Sequence, residues 1–301
     1  MSHHEQQAGV IAGLTAYLVW GLLTVYWKQL TGFDAFELIA WRITTASIIM
    51  AAVLTVGRRW SHLAVLRNRS VLARVALAAV LLTANWTAYV WAVVHGRVLE
   101  TALGYFIAPL FTVTLGVVVL KETLHRAQWV ALGLAAAAVV VLTVSYGRLP
   151  WISLILACTW SLYGYLKKHA SLTPVESMAA ESFLLTPAAL VVLVALGSQS
   201  DSIPATASTG EMALVLLSGL ATVTPLTLFA YAAHRVPLTI LGPMQYIIPS
   251  INFVLGWLIY DEALPAERVV GFGLVWIGLL VLTIDTVRRR TGVRAPVPVA
   301  G

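Results

Sequence analysis

The feature that most restricts this chain is a succession of apolar runs, each about as long as a helix needs to cross the roughly 30 Å hydrocarbon core of a bilayer. Ten are read, at 8–29, 35–57, 71–94, 101–120, 127–146, 150–168, 176–197, 211–233, 239–260 and 266–286. Lipid offers no partner to a backbone N–H or C=O, so each run is expected to close its own hydrogen bonds as a helix. Composition agrees: 59% of the residues are hydrophobic and 11% charged, where soluble domains run near half and a quarter. The expected class is an all-α integral membrane protein.

Two runs carry the same interruption. Leu103-Gly104-Tyr105-Phe106-Ile107-Ala108-Pro109 recurs 140 positions later as Pro243-Met244-Gln245-Tyr246-Ile247-Ile248-Pro249. Each proline lies about 15 Å into its run, near the bilayer midplane, where it removes a hydrogen bond that lipid cannot replace. Tyr105, Pro109, Thr112 and Gly116 share one helical face by their spacing of 4, 3 and 4, and their counterparts are Gln245, Pro249, Asn252 and Gly256. Such a stripe suits a close helix-helix seam, and it equally suits a seam that lines a pocket.

The offset holds elsewhere. Trp20 pairs with Trp160, Lys28 with Lys168, Glu122 with Glu262 and Gly133 with Gly273, all 140 apart. Pro225 falls opposite Asn85 and makes a third expected helix break, beside Pro109 and Pro249. With one residue less, Glu37 meets Glu176, Arg42 meets Glu181 and His95 meets His234. A unit of five spans is odd, so its second copy enters the membrane upside down. The sequence therefore predicts ten transmembrane helices in two inverted five-helix repeats, at 8–147 and 148–287, between a disordered leader (1–7) and a disordered basic, Pro-rich tail (288–301).

Charge sets the orientation. The net charge is +6, and fourteen of the 19 Lys and Arg, including those between Arg58 and Arg74, fall in segments that share one side with both termini. By the positive-inside rule that side is the cytoplasm. This asymmetry accounts for the basicity without a nucleic-acid partner.

Individual polar residues inside spans are candidate site residues. Arg42 lies about five residues into its run, where a charge costs about 3 kcal/mol unless it is paired or snorkels outward. Glu181 is its acidic repeat partner, suited to carrying a proton or meeting a substrate amine, or else to an interfacial position. Asn85 and Tyr89 stand one turn apart on a common face. Trp20 lies deeper than an interfacial aromatic belt requires. Together with Tyr105, Thr112, Gln245, Tyr246 and Asn252 they form the expected substrate-binding set. Span 5 carries no titratable group in its middle, which suits a peripheral or interface helix better than a pore-lining one.

Other chemistry is not written here. The HExxH, G-x-S-x-G and phosphate-loop patterns are absent, and Cys158 is the single cysteine. No cofactor, metal or catalytic residue is called for. Glu122 and Glu262 fall at opposite membrane faces and are expected to cap or charge-pair turns. Without a nucleotide site, transport would draw on a gradient of protons or another ion, or on the substrate's own gradient. An intramembrane enzyme acting on a lipid or isoprenoid, and a non-transporting scaffold, are the competing classes.

With those residues set out, the chain resembles the EamA-type permeases of the drug/metabolite transporter superfamily, and within them the RarD branch. The resemblance rests on Leu18-Val19-Trp20-Gly21, Val25-Tyr26-Trp27-Lys28, Ala40-Trp41-Arg42-Ile43 and Leu99 to Leu110. In the second half it rests on Thr224-Pro225-Leu226 and Gly242 to Pro249. It implies a secondary transporter moving a small metabolite or drug-like solute across the bacterial inner membrane by alternating access. Ala108 departs from the family pattern, which carries a polar Asn there.

Overall fold

The computed structural model describes residues 3–120, 126–147, 149–168, 172–233, 235–236 and 244–292, and all regular structure within them is helical. Helix α1 spans His3–Lys28, α2 Ala35–Val56, α3 Arg69–Val94, α4 Val98–Leu120 and α5 Arg126–Tyr146. The second half comprises α6 (Trp151–Lys168), α7 (Pro174–Gly197), α8 (Thr209–Ala233), α9 (Ile247–Val254) and α10 (Ala266–Gly292). A π-helical turn, Leu255–Ile259, continues α9, and a 3-10 segment, Trp60–Arg67, joins α2 to α3. Among the described residues, seven helices are long and apolar enough to cross a membrane, and 98–112 and 247–259 are shorter apolar helices.

Polar residues at the ends start these helices. The Asp34 carboxylate accepts from the N–H groups of Phe36 and Glu37 and opens α2. Thr173 and Glu176 form a reciprocal capping box around Pro174 at the start of α7. Gly96 (φ 67°) and Gly147 (φ 61°) turn the chain after α3 and α5 in the left-handed region that glycine enters at low cost.

Several expectations change. Helix α1 begins at His3, so the polar leader is helical from there, with Glu5 in the first turn where the helix dipole favours an acid. At the other end α10 runs on to Gly292, five residues into the expected tail, and 293–301 lie outside the described residues. The loop from Gly197 to Gly210 contains a one-turn helix, Ile203–Thr206. Its first N–H, on Ile203, donates to both oxygens of the buried Glu37 carboxylate at 3.1 and 3.0 Å.

The prolines also differ from expectation. Pro109 and Pro225 sit inside continuous helices instead of breaking them. Losing one hydrogen bond bends a long helix that its neighbours hold on all sides, without interrupting it. The interruption in the second repeated stretch falls at Gln245 and Tyr246, which form a turn just before α9. Pro249 is the third residue of α9, and its ring would clash with the carbonyl four residues back, which is that of Gln245.

Packing brings α4 against α6, α5 against α10, and α2 against both α7 and α8. It brings α1 against α8 and α9, and α3 against α6 and α7. Small residues set the closest approaches. A Cβ on Gly104 of α4 would stand 3.0 Å from Ser153 O and 2.9 Å from Leu156 Cβ of α6. One on Gly219 of α8 would stand 2.5 Å from the backbone of Thr45 and Ala46 in α2. Outward faces are apolar, with Ile48, Val80, Val140, Val191 and Leu280 all exposed. That is the surface a bilayer covers.

Candidate functional site

A cavity of about 410 Å³ lies in the middle of the bundle. Tyr17, Trp20 and Leu23 of α1, Arg42 of α2, and Asn85, Trp86 and Tyr89 of α3 form one part of its wall. Tyr105, Ala108, Pro109 and Thr112 of α4, Trp160 of α6, Phe229 of α8, and Gln245 and Ile248 around the start of α9 form the rest. Seven of the ten expected binding residues therefore meet on one cavity: Trp20, Arg42, Asn85, Tyr89, Tyr105, Thr112 and Gln245.

Four positions of the wall repeat at the offset of 140, namely Trp20 with Trp160, Tyr89 with Phe229, Tyr105 with Gln245, and Ala108 with Ile248. Phe229 and Ile248 were absent from the expected set because they are apolar, yet the offset alone points to them. Trp86 and Tyr17 carry no such signal. Helix α5 contributes nothing to this wall, in keeping with its blank sequence.

Arg42 is 3% exposed and its Nε donates to Thr222 Oγ1 at 2.7 Å. Its guanidinium lies 4.0 Å from the ring centre of Trp86 and 5.5 Å from that of Trp27. Thr222 passes its own proton to Ser218 O at 2.8 Å, so its oxygen is oriented to accept from Arg42. Among the described residues no carboxylate lies within 4 Å of this arginine.

The other polar members of the wall are held from behind. Tyr105 donates to Asn85 Oδ1 at 3.0 Å, while Asn85 Nδ2 donates to Leu156 O and to Thr159 Oγ1 at 3.1 and 2.9 Å. Asn85 thus fixes α3 to α6 and aims the Tyr105 ring. Thr112 and Ser161 both donate to Ala108 O, one turn before Thr112, and tie α4 to α6 beside Pro109.

Three expected binding residues lie elsewhere. Asn252 is fully buried beneath the cavity wall: Tyr89 OH donates to Thr24 Oγ1, Thr24 to Asn252 Oδ1, and Asn252 Nδ2 to Thr101 Oγ1, at 2.7, 2.7 and 3.2 Å. Because Thr24 has one hydroxyl proton and gives it to Asn252, the direction of the chain is fixed. The chain links α3, α1, α9 and α4 at the end of the cavity nearer Lys28. Tyr246 stacks on Phe106 and faces the groove between α4, α9 and α10. Glu181 is buried against Lys167, Ser177 and Tyr163, so its charge is already matched within the protein.

Outside the bundle, Glu262 caps α4, accepting from Val98 N and Leu99 N. Burial pushes its carboxyl above the usual range, against the pull of those two N–H groups. Its expected partner in the repeat, Glu122, lies outside the described residues. No group of three or more His, Cys, Asp or Glu suited to a metal occurs among the described residues.

Comparison with known proteins places this geometry. The model of the EamA-like transporter family matches the chain twice, over residues 7–144 and 149–284. Protein RarD of Streptomyces exfoliatus is 43% identical over 295 residues, covering 98% of this chain and 94% of its own. The uncharacterized transporter YojE of Bacillus subtilis is 38% identical, covering 96% and 97%, and Protein RarD of Escherichia coli 33%, covering 97% and 99%. A solved structure described as "Crystal structure of protein" aligns with a TM-score of 0.58 at 17% identity, covering 93% of this chain and 98% of its own, which speaks to the fold alone. The chain therefore belongs to the EamA-like transporter family, in its RarD branch, and is a multi-pass membrane transporter of the drug/metabolite superfamily.

Proposed function

We propose that the protein is a secondary permease that carries a small metabolite or drug-like solute across the bacterial inner membrane by alternating access. In this reading, ten spans form two inverted five-helix repeats with both termini in the cytoplasm, and the solute binds in the central cavity. The observation that carries it is that both halves furnish matching positions of one wall, Trp20/Trp160, Tyr89/Phe229, Tyr105/Gln245 and Ala108/Ile248. A site on the axis between repeats is where inverted-repeat transporters hold their substrates.

Helix pairing supports the same reading. Exchanging α1–α5 with α6–α10 turns the α4–α6 contact into α9–α1, α1–α8 into α6–α3, and α2–α8 into α7–α3. The pairs α5–α10, α2–α7 and α4–α9 map onto themselves. A scaffold has no need of a symmetric arrangement closed around an empty centre.

The hydrogen-bonded chain through Tyr89, Thr24, Asn252 and Thr101 is the closed gate of this conformation. Lys28, donating to Val93 O, and Glu262, capping α4, reinforce that end. With the orientation given by the basic segments, the closed end is periplasmic. Opening would replace these bonds by bonds to water, which costs little net energy and suits a two-state element.

The test is counterflow of a panel of small solutes into sealed proteoliposomes, compared with leaky ones. Saturable accumulation that needs a sealed compartment, and that falls about tenfold or more in Gln245→Ala and Trp20→Leu, is the expected result. Unchanged flux in both variants would remove the cavity from the pathway. A product formed in detergent would point to an enzyme instead.

A further inference from the structure

Resting on the cavity as the binding site, we propose that its substrate is a small organic monocarboxylate with a planar apolar body, held head-on by Arg42. A guanidinium offers five N–H donors in a fixed fork. The one hydrogen bond Arg42 makes among the described residues uses Nε, which leaves its other donors for a ligand. The residue lies within a transmembrane run and lines the cavity, yet among the described residues no acid stands within 4 Å of it.

A buried charge without an opposite charge is costly, and the two aromatic rings beside it offset only part of that cost. The buried or half-buried acids Glu37, Glu100, Glu181 and Glu262 are committed elsewhere. Glu37 holds Ile203 N, Glu100 pairs with Arg97, Glu181 with Lys167, and Glu262 caps α4. The missing anion is therefore one the cavity receives. A carboxylate matches the remaining edge of the fork in two-pronged geometry.

The rest of the wall narrows the class. Among the described residues Arg42 is the only charged side chain on it, so one negative charge is balanced and two are not. Among the described residues no carboxylate lines the cavity to receive an ammonium group, and a second cation would be repelled by Arg42. Trp20, Trp86, Tyr89, Tyr105, Trp160 and Phe229 line it with aromatic rings that suit a planar apolar body. At about 410 Å³ the space sits toward the small end of the roughly 300–1,000 Å³ typical of ligand sites.

The experiment is calorimetric titration of the purified full chain in detergent with three probes of one shape: indole-3-acetate, indole-3-acetamide and tryptamine. Indole-3-acetate is expected to bind and to raise the apparent melting temperature, with the amide and the amine at least about tenfold weaker. Arg42→Gln is expected to weaken the acetate by about thirtyfold or more while leaving the amide unchanged. Thr222→Val, which frees the anchor but keeps the charge, should cost less. Equal or tighter binding of the amide or the amine, or no binding of the acetate at millimolar concentration, would overturn the proposal. If the amine binds and Trp20→Leu abolishes it, the cavity remains the site and only the anion class is wrong. If the acetate binds untouched by both Arg42→Gln and Trp20→Leu, the cavity assignment itself fails.

Discussion

At the scale of single residues, Arg42 and Glu181 show how one repeat position can serve two ends. Both are buried and both lie in corresponding spans, but Glu181 meets Lys167 and Ser177 while Arg42 meets a hydroxyl and two indoles. Glu181→Gln should therefore act on stability, lowering it by about 1–3 kcal/mol. The loss is moderated because the Lys167 side chain keeps 25% exposure and can rehydrate. Thermal unfolding in detergent checks this, and substrate affinity should not change. Asn252 lies off the cavity wall, as Glu181 does, and belongs to the hydrogen-bonded chain proposed as the gate. Asn252→Ala would orphan the Thr24 hydroxyl in a dry seam, and a loss of about 1–3 kcal/mol is expected in the same assay. A large fall in substrate affinity without a fall in stability would instead make it a ligand.

At the scale of helices, glycine decides how near two axes come. Gly219 lets α8 lie on the backbone of α2, where Thr45 and Ala46 cannot give way. Gly219→Ala should cost about 1–3 kcal/mol or disturb the position of Arg42 through its neighbour Thr222. Gly133 of α5 has nothing within 4 Å of where a Cβ would stand. Gly133→Ala should be neutral or stabilising by up to about 1 kcal/mol, since alanine favours the helix. Gly219→Ala should lower the melting temperature and Gly133→Ala should leave it unchanged or raise it. Equal shifts would contradict the packing described for α2 and α8.

At the scale of the whole molecule, the proposed inverted arrangement predicts which loops face outward. Arg59 and Ser200 are both exposed, on segments that the charge pattern assigns to opposite sides. In a Cys158→Ser background, an impermeant thiol reagent added outside intact cells should label Ser200→Cys and spare Arg59→Cys. The reverse pattern would invert the orientation. Labelling that put equivalent loops of both halves on one side would end the inverted-repeat reading.

The sequence by itself determined the all-helical membrane class, the spacing of 140 between matching residues, and seven of the cavity-lining side chains. These follow from period and repetition, which are local properties of a chain. It could not tell Arg42 from Glu181, two charged groups at similar depth in corresponding spans, nor Asn252 from Gln245, two amides expected on one helical face. Tertiary structure decided between them, since whether a polar group faces a cavity or a partner depends on what the neighbouring helix carries at that height. Lys167 on α6 neutralises Glu181, and Thr24 on α1 occupies Asn252. Thr222 on α8 gives Arg42 a hydroxyl where a matching charge would be needed. A helix can show its own face in its sequence, but its rotation and its partners are settled only by packing.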